Sequence, residues 1–209
     1  MRRNIRYDEW NASRVICFVL MVAAALFVFV SCSTKKVSKT EVQPASSMTE
    51  KSQQSQTQAI IYQQFIKRLQ PEIKTNKAEV KQFDNQVRIT IQNDILFPGG
   101  GLTIDRKGVE ILDKIILVLK ELKNQAIEVN GHTDNSPVGP SLRSKFSTSR
   151  ELSLARAVEI VSYFQKKGID RDMMSATGYG AEQSVATNDT PQGRAKNRRT
   201  EIIVVAQVN

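Results

Sequence analysis

The chain has 209 residues, 40 % of them hydrophobic and 24 % charged, an ordinary balance for one folded domain with extensions. Thirty Lys and Arg against 21 Asp and Glu leave a formal charge of +9, which favours anionic partners and on its own would allow nucleic acid. One histidine and two cysteines leave a transition-metal centre short of its usual ligands, so no metal or other cofactor is expected.

Arg2, Arg3, Arg6 and Arg14, set against Asp8 and Glu9, precede residues 15–31, which carry no charge. Residues 1–32 therefore read as a targeting or membrane segment. The apolar run is at the short limit for a spanning helix, which needs about 20 apolar residues. Phe29-Val30-Ser31-Cys32 resembles a lipoprotein cleavage box, with Phe29 in place of the usual Leu. Cleavage there would remove Cys17 and leave Cys32 as the lipidated residue and sole thiol, with no intramolecular disulfide. Ser33 after it resembles lipoproteins forwarded to the outer membrane. An uncleaved inner-membrane anchor and a buried core helix stay open as alternatives. Export argues against nucleic acid, and Lys35, Lys36, Lys81, Lys123, Lys166 and Lys167 are scattered as on a solvated surface.

Residues 33–57 consist largely of Ser, Thr, Gln, Lys and Glu, too little apolar surface to offset the entropy of ordering, and read as a flexible polar tether. Residues 58–84 read as an amphipathic helix and a connector. Ile60, Ile61, Phe65, Ile66 and Leu69 fall at helical spacing before Pro71. Their stripe either docks on the following domain or joins a second copy in a homodimer, and an envelope protein is a further partner to consider.

The folded domain is expected over residues 85–209. Val87, Ile89 and Ile91 alternate with polar residues as in a half-buried strand. Phe97 and a Pro-Gly-Gly-Gly turn follow, and Asp105 caps a helix with Val109, Leu112, Ile115, Ile116, Leu119 and Leu122 on one face. A second strand through Ile127 and Val129 delivers Asp134 to its end. After a loop with Pro137, Gly139 and Pro140, Thr148-Ser149-Arg150-Glu151 reads as a capping box. The helix it opens carries Leu152, Ala155, Val158, Val161 and Phe164, and stops at Gly168. Residues 173–177 form a short strand before a Gly178-Tyr179-Gly180 turn. Thr190-Pro191 opens a short helix, and residues 201–205 close the fold as a buried strand. The order β-α-β-α-β-α-β predicts an α/β two-layer sandwich, helices packed on a mixed sheet.

Three motifs stand in this region: Gly131-His132-Thr133-Asp134, Glu151-Leu152-Ser153-Leu154-Ala155-Arg156-Ala157 and Gly193-Arg194-Ala195-Lys196-Asn197-Arg198-Arg199. Together, over residues 85–207, they resemble the peptidoglycan-binding domain shared by OmpA, Pal and MotB proteins. The resemblance implies that Asp134 contacts the ammonium of diaminopimelate in the wall peptide and that Arg156 clasps its carboxylate. A carboxylate facing a forked, permanently charged guanidinium suits such a zwitterion. Taken alone, Asp134 would cap a turn and Arg156 would bridge to a residue such as Glu159; the family pattern turns both towards ligand. By the same resemblance Phe97, Thr133, Leu152 and Ser149 join the site, and Arg199 adds positive charge. Ser149 stands where relatives often have Asn, and Arg150 where MotB-like sequences often have Trp. Arg194 and Arg198 read equally as braces to acidic residues of the fold. His132 reads as structural, and with no Gly-x-Ser-x-Gly elbow and no motif around Ser136, catalysis is not expected. The function implied is a non-enzymatic link between a membrane and peptidoglycan. A stator subunit of the MotB kind is the alternative, against which stands the absence of Asp or Glu in residues 15–31.

Overall fold

The computed structural model describes residues 45–122 and 125–206; the leader, Cys32 and the first part of the expected tether lie outside them. In chain order the elements are α1 (Ala45–Lys74), β1 (Ala78–Gln82), β2 (Gln86–Gln92), the single turn α2 (Asn93–Leu96), α3 (Arg106–Leu119), β3 (Gln125–His132), α4 (Ser149–Lys166), β4 (Met174–Gly180), α5 (Pro191–Asn197) and β5 (Arg199–Ala206). The strands form one mixed sheet in the order β1-β2-β5-β3-β4. Only β3 and β4 are parallel, joined by the α4 crossover; the other pairs are antiparallel. This is the α/β arrangement the periodicity predicts, with one strand and much of one helix added.

Side chains alternate across each strand, so the register decides which residues meet. Val87, Ile89 and Ile91 lie opposite Val204, Ile202 and Thr200, and Ile127 and Val129 lie opposite Val204 and Ile202 on the other side of β5. That face is buried against Leu112, Ile115, Ile116 and Leu119 of α3 and Ala157, Ile160, Val161 and Phe164 of α4. The α4 stripe differs in phase from the sequence expectation. Val158 is exposed and Ala155 half-buried, because Ser153 and Arg156, both polar, occupy the sheet-facing line that hydrophobic periodicity assigns to apolar residues. The Thr148–Glu151 capping box and the Thr190 cap with Pro191 at the first helical position are both present.

The helix of residues 59–69 extends in both directions. Ile61, Phe65 and Leu69 are buried in the core, so the stripe docks on the domain, while Ile60 faces solvent. Upstream, residues 45–57 are helical rather than a tether, because Ala, Met, Glu, Lys and Gln are good helix formers and a docked helix propagates at one hydrogen bond per residue. Downstream, the helix runs past Pro71 to Lys74. A proline so close to the end costs one hydrogen bond to the Lys67 carbonyl and leaves one further turn. Asn76, at φ 55°, then ends it, with the Lys77 amide donating to Glu72 O at 2.8 Å as in a Schellman cap. Strand β1 follows, which too few apolar residues mark in sequence. It exists because Ala78 and Val80 pair with Ile91 and Ile89.

α1 runs the length of the sheet, about 45 Å for 30 residues. Near its start Gln54 donates to Ala206 O and Gln58 to the Gln125 side chain, at the end of the sheet where β3 begins. Near its end Glu72 pairs with Lys114 at 2.5 Å, and a cleft of about 470 Å³ separates Thr75 and Lys77 from Asp94 and Asp105. If α1 belongs to the core, Phe65→Ala lowers unfolding free energy by about 3–5 kcal/mol. Ile60→Ala changes it by less than about 0.5 kcal/mol. Chemical denaturation of the two variants checks this, and equal effects would place the helix outside the cooperative unit.

Candidate functional site

The end of β3, the α2 turn, the first turns of α4 and the start of β5 converge on a buried polar cluster. Asn93 joins three of these elements. Its amide nitrogen donates to His132 O at 2.9 Å, its Oδ1 accepts from the Thr200 hydroxyl at 2.8 Å, and its backbone N–H donates to Arg198 O at 3.0 Å. α4 reaches the sheet because two facing positions lack side chains. A Cβ on Gly131 would lie 2.2 Å from Ser153 O, and one on Gly178 would lie 2.4 Å from Leu154 N. At that depth Ser153 Oγ accepts from Gly180 N at 2.9 Å while donating to Arg150 O at 2.8 Å. Gly178 therefore continues β4 to Gly180 instead of turning the chain out after Thr177.

Asp134 is 6 % exposed. Its Oδ1 accepts from Ser136 N at 2.9 Å, and its Oδ2 accepts from Arg198 Nη1 at 2.9 Å. Burial alone would raise its pKa, but the bonds from Arg198 and Ser136 together hold the carboxyl below the usual Asp value. Arg198 also grips Asp94 with Nε at 3.3 Å and Nη2 at 2.9 Å. These bonds, first to Asp94 and then to Asp134, push its proton affinity above that of a free guanidinium. Arg156, 4 % exposed, donates from Nε to Gly101 O at 3.0 Å and from Nη2 to Gly100 O, and its guanidinium carbon lies 5.5 Å from the centre of the Phe97 ring. Gly100 is left-handed, at φ 74°, a conformation costly for other residues. Burial lowers the Arg156 pKa, and Asp94 and Asp134 oppose that from nearby. Among the described residues no protein acceptor takes Arg156 Nη1, and Arg156 forms no ion pair with Asp134. The two charges thus stand in each other's field without neutralising one another.

The structure brings together Asp134, Arg156, Phe97 and, beside them, Thr133. Thr133 donates its N–H to Gly180 O at 2.9 Å, and its buried hydroxyl has no partner among the described residues. Phe97 is 1 % exposed and supports Arg156 from below. Leu152 is buried in the first turn of α4, and Ser149 is half-buried beside Gly180. Arg150 pairs with exposed Glu182 at 3.0 Å. Arg199 corrects the expectation. Its position alternates with Thr200 and Ile202, so it projects from the opposite face of the sheet, where it donates to Glu201 at 2.8 Å and to Gln183 O at 3.1 Å. The charge beside Asp134 comes instead from Arg198, one residue earlier. Asp94 and Asn93 have no distinguishing sequence signal beyond polarity at a strand end. Arg194 caps the β4–β5 connection through Asn188 O and Asp189 O. Cys32 lies outside the described residues.

His132 is also on the opposite face, 1 % exposed and stacked on Tyr179 with ring centres 5.2 Å apart. Its Nε2 is 3.9 Å from Glu201. Burial, then the Arg199 charge, lowers its pKa from 6.5 to about 4, so a neutral ring stays part of the sheet.

The model of the OmpA family matches residues 96–198. Motility protein B of Bacillus subtilis is 35 % identical over 133 residues, 62 % of this chain and 49 % of that protein. Peptidoglycan-binding protein ArfA of Mycobacterium tuberculosis is 33 % identical over 110 residues, 53 % of this chain and 32 % of that protein. The chain therefore spans at most about half the length of these curated relatives. Among solved structures, the cell wall anchor of the T6SS from Pseudomonas aeruginosa superposes with a TM-score of 0.62 at 31 % identity, over 68 % of this chain and 97 % of that one.

The buried histidine generates a pH dependence. Between pH 6.5 and about 4 the unfolded chain takes up a proton that the folded one refuses, so stability present above pH 6.5 falls as the pH drops through this window. The slope from this one group is at most about 1.4 kcal/mol per pH unit. Urea titrations across the window are expected to show this slope in the wild type and a shallower one in His132→Gln. Parallel pH profiles would contradict it.

Proposed function

Since residues 96–198 form a domain of the OmpA family, we propose that the chain is a non-enzymatic anchor that grips peptidoglycan at the Asp134–Arg156 cluster and is tied to a membrane through its N-terminal segment. The observation that carries this is the pairing of an ionised, nearly buried carboxylate with a guanidinium that keeps a free N–H edge. Asp134, braced by Arg198 and with Asp94 behind it, receives the ammonium of a diaminopimelate side chain. Arg156, fixed over Phe97 by the Gly100 and Gly101 carbonyls, offers Nη1 to the carboxylate on the same carbon. Both partners are already desolvated and held, so little ordering is needed on binding. The family membership and the names of the relatives, a peptidoglycan-binding protein and a cell wall anchor, support the reading.

The course of α1 supports it as well. The helix enters at the end of the sheet remote from the cluster and leaves beside the loop that carries Asp94, so a pull between membrane and wall passes along a docked helix. Lipidation at Cys32, with an outer-membrane location, is the form of attachment we favour. A second reading, an uncleaved inner-membrane helix, is favoured by the similarity to Motility protein B. An intact Met1 terminus in the mass spectrum of the membrane-extracted protein would decide for it.

A charge-assisted hydrogen bond contributes about 1.5–3 kcal/mol. Asp134→Ala and Arg156→Ala are each expected to reduce co-sedimentation of the full chain with purified sacculi by roughly ten- to hundredfold while keeping the wild-type circular dichroism spectrum. Arg198→Ala is expected to weaken binding too, whereas Arg199→Ala is expected to lower stability and leave the folded fraction binding normally. Titration with a diaminopimelate stem peptide and its lysine counterpart tests the ligand. Lysine lacks the second carboxylate, so equal affinities would refute the role given to Arg156.

A further inference from the structure

The helices cover one face of the sheet, and the other face carries an open trough. Two cavities of about 550 and 440 Å³ share Arg88, Val185, Arg199 and Glu201 in their walls. They run together from Glu79 and Lys81 of β1 to Tyr179 of β4. Crossing five strands involves four spacings of about 4.8 Å, so the trough is roughly 19 Å long. That is too long and too open for a small metabolite and suits a linear chain.

Its two halves differ in chemistry. On the β1 side Lys77, Lys81, Arg88, Lys196 and Arg199 face only Glu79 and Glu201. Glu79 is engaged by Lys81 at 2.9 Å, and Glu201 by Arg199 at 2.8 Å and Arg88 at 3.5 Å. Lys77 and Lys196, both exposed, meet no carboxylate among the described residues. The Nε of Arg88 is buried, and its contact with Glu201 at 3.5 Å falls short of hydrogen-bond geometry. Towards β4 the lining turns to amides and a phenol, at Gln86 of β2, Asn130, Gln183 and Tyr179, with the Glu128 carboxylate as the one further acid among them; the amides and the phenol hydrogen-bond hydroxyls and present a ring to sugar or polyol carbons. The glycan backbone of peptidoglycan carries no charge along its length, whereas these cations call for an occupant with an anion in each repeat.

We propose that this face is a second binding surface, separate from the Asp134 cluster, for a phosphodiester-linked polyol or glycan chain of the cell envelope. Phosphates lie against Lys77, Lys196 and Arg88, and hydroxyls lie against the amides. A domain held to the wall at one end of its sheet would thereby hold an anionic envelope polymer across the sheet's back. Lys77 and Lys196 are exposed and make no ion pair in the described structure, so Lys77→Glu with Lys196→Glu leaves the fold intact.

The full chain in non-ionic detergent is equilibrated with immobilised poly(glycerol phosphate), with dextran as the uncharged polymer. Retention is expected on the first and absent on the second. The double variant is expected to bind poly(glycerol phosphate) roughly tenfold or more weakly, with a reduced salt dependence, and Asp134→Ala is expected to bind it like wild type. On sacculi stripped of phosphate polymers the pattern reverses: the double variant sediments and Asp134→Ala does not. The two surfaces thus fail separately. Equal affinity of wild type and double variant for the polymer, loss of polymer binding in Asp134→Ala, or tighter binding to phosphatidylglycerol vesicles than to the polymer would each overturn the assignment.

Discussion

A carboxylate that stays ionised while nearly closed off from water is the constraint around which this domain is arranged. An isolated charge in the position of Asp134 would be neutralised by protonation. Here Arg198 and the Ser136 amide supply the bonds that keep it charged. Arg198 in turn is held by Asp94, and its backbone carbonyl is held by Asn93. A loop, a strand end and the start of β5 are therefore fixed together by one ion-pair chain. The second cation, Arg156, is kept from collapsing onto Asp134 because two glycine carbonyls already occupy Nε and Nη2. Asp134 and Arg156 are thus held near each other without bonding to one another, the feature on which the proposed zwitterion site rests.

The backbone makes this arrangement affordable. Where Gly131 and Gly178 face α4, the helix lies closer to the sheet than any side chain would permit. Arg156 then enters from above at the level of the β3 terminus. The same close approach explains the irregular apolar stripe of α4, whose sheet-facing line is partly Ser153 and Arg156. On the far side of the sheet Glu201 is flanked by Arg88 and Arg199 and neighboured by a neutral His132. A second charged layer thus lies across the sheet from the first, and it forms the floor of the trough.

α1 extends the domain beyond the region shared with the family. Its buried Phe65 and Leu69 make it part of the core. Its two ends mark the two poles of the molecule: the chain arrives beside Gln125 and Ala206, and the cluster lies near the other end. For a protein proposed to bear load between membrane and wall, this geometry puts helix at residues 45–57, the later part of the stretch that composition marks as a flexible tether.

Much of this was legible in the chain. Alternation at Val87, Ile89 and Ile91, the stripe from Leu112 to Leu119, the Thr148–Glu151 box and the Thr190-Pro191 start each depend on neighbours within a few residues, and each appears where local chemistry puts it. The motifs around Asp134 and Arg156 likewise marked two charged side chains that the fold buries near each other. What local chemistry does not contain is pairing. β1 exists only because Ala78 and Val80 meet Ile91 and Ile89 across the sheet, and the first turns of α1 exist because residues further along are docked. Whether Arg198 or Arg199 serves Asp134 turns on strand parity: adjacent residues point to opposite faces, and only the register of β5 between β2 and β3 decides which guanidinium reaches the site.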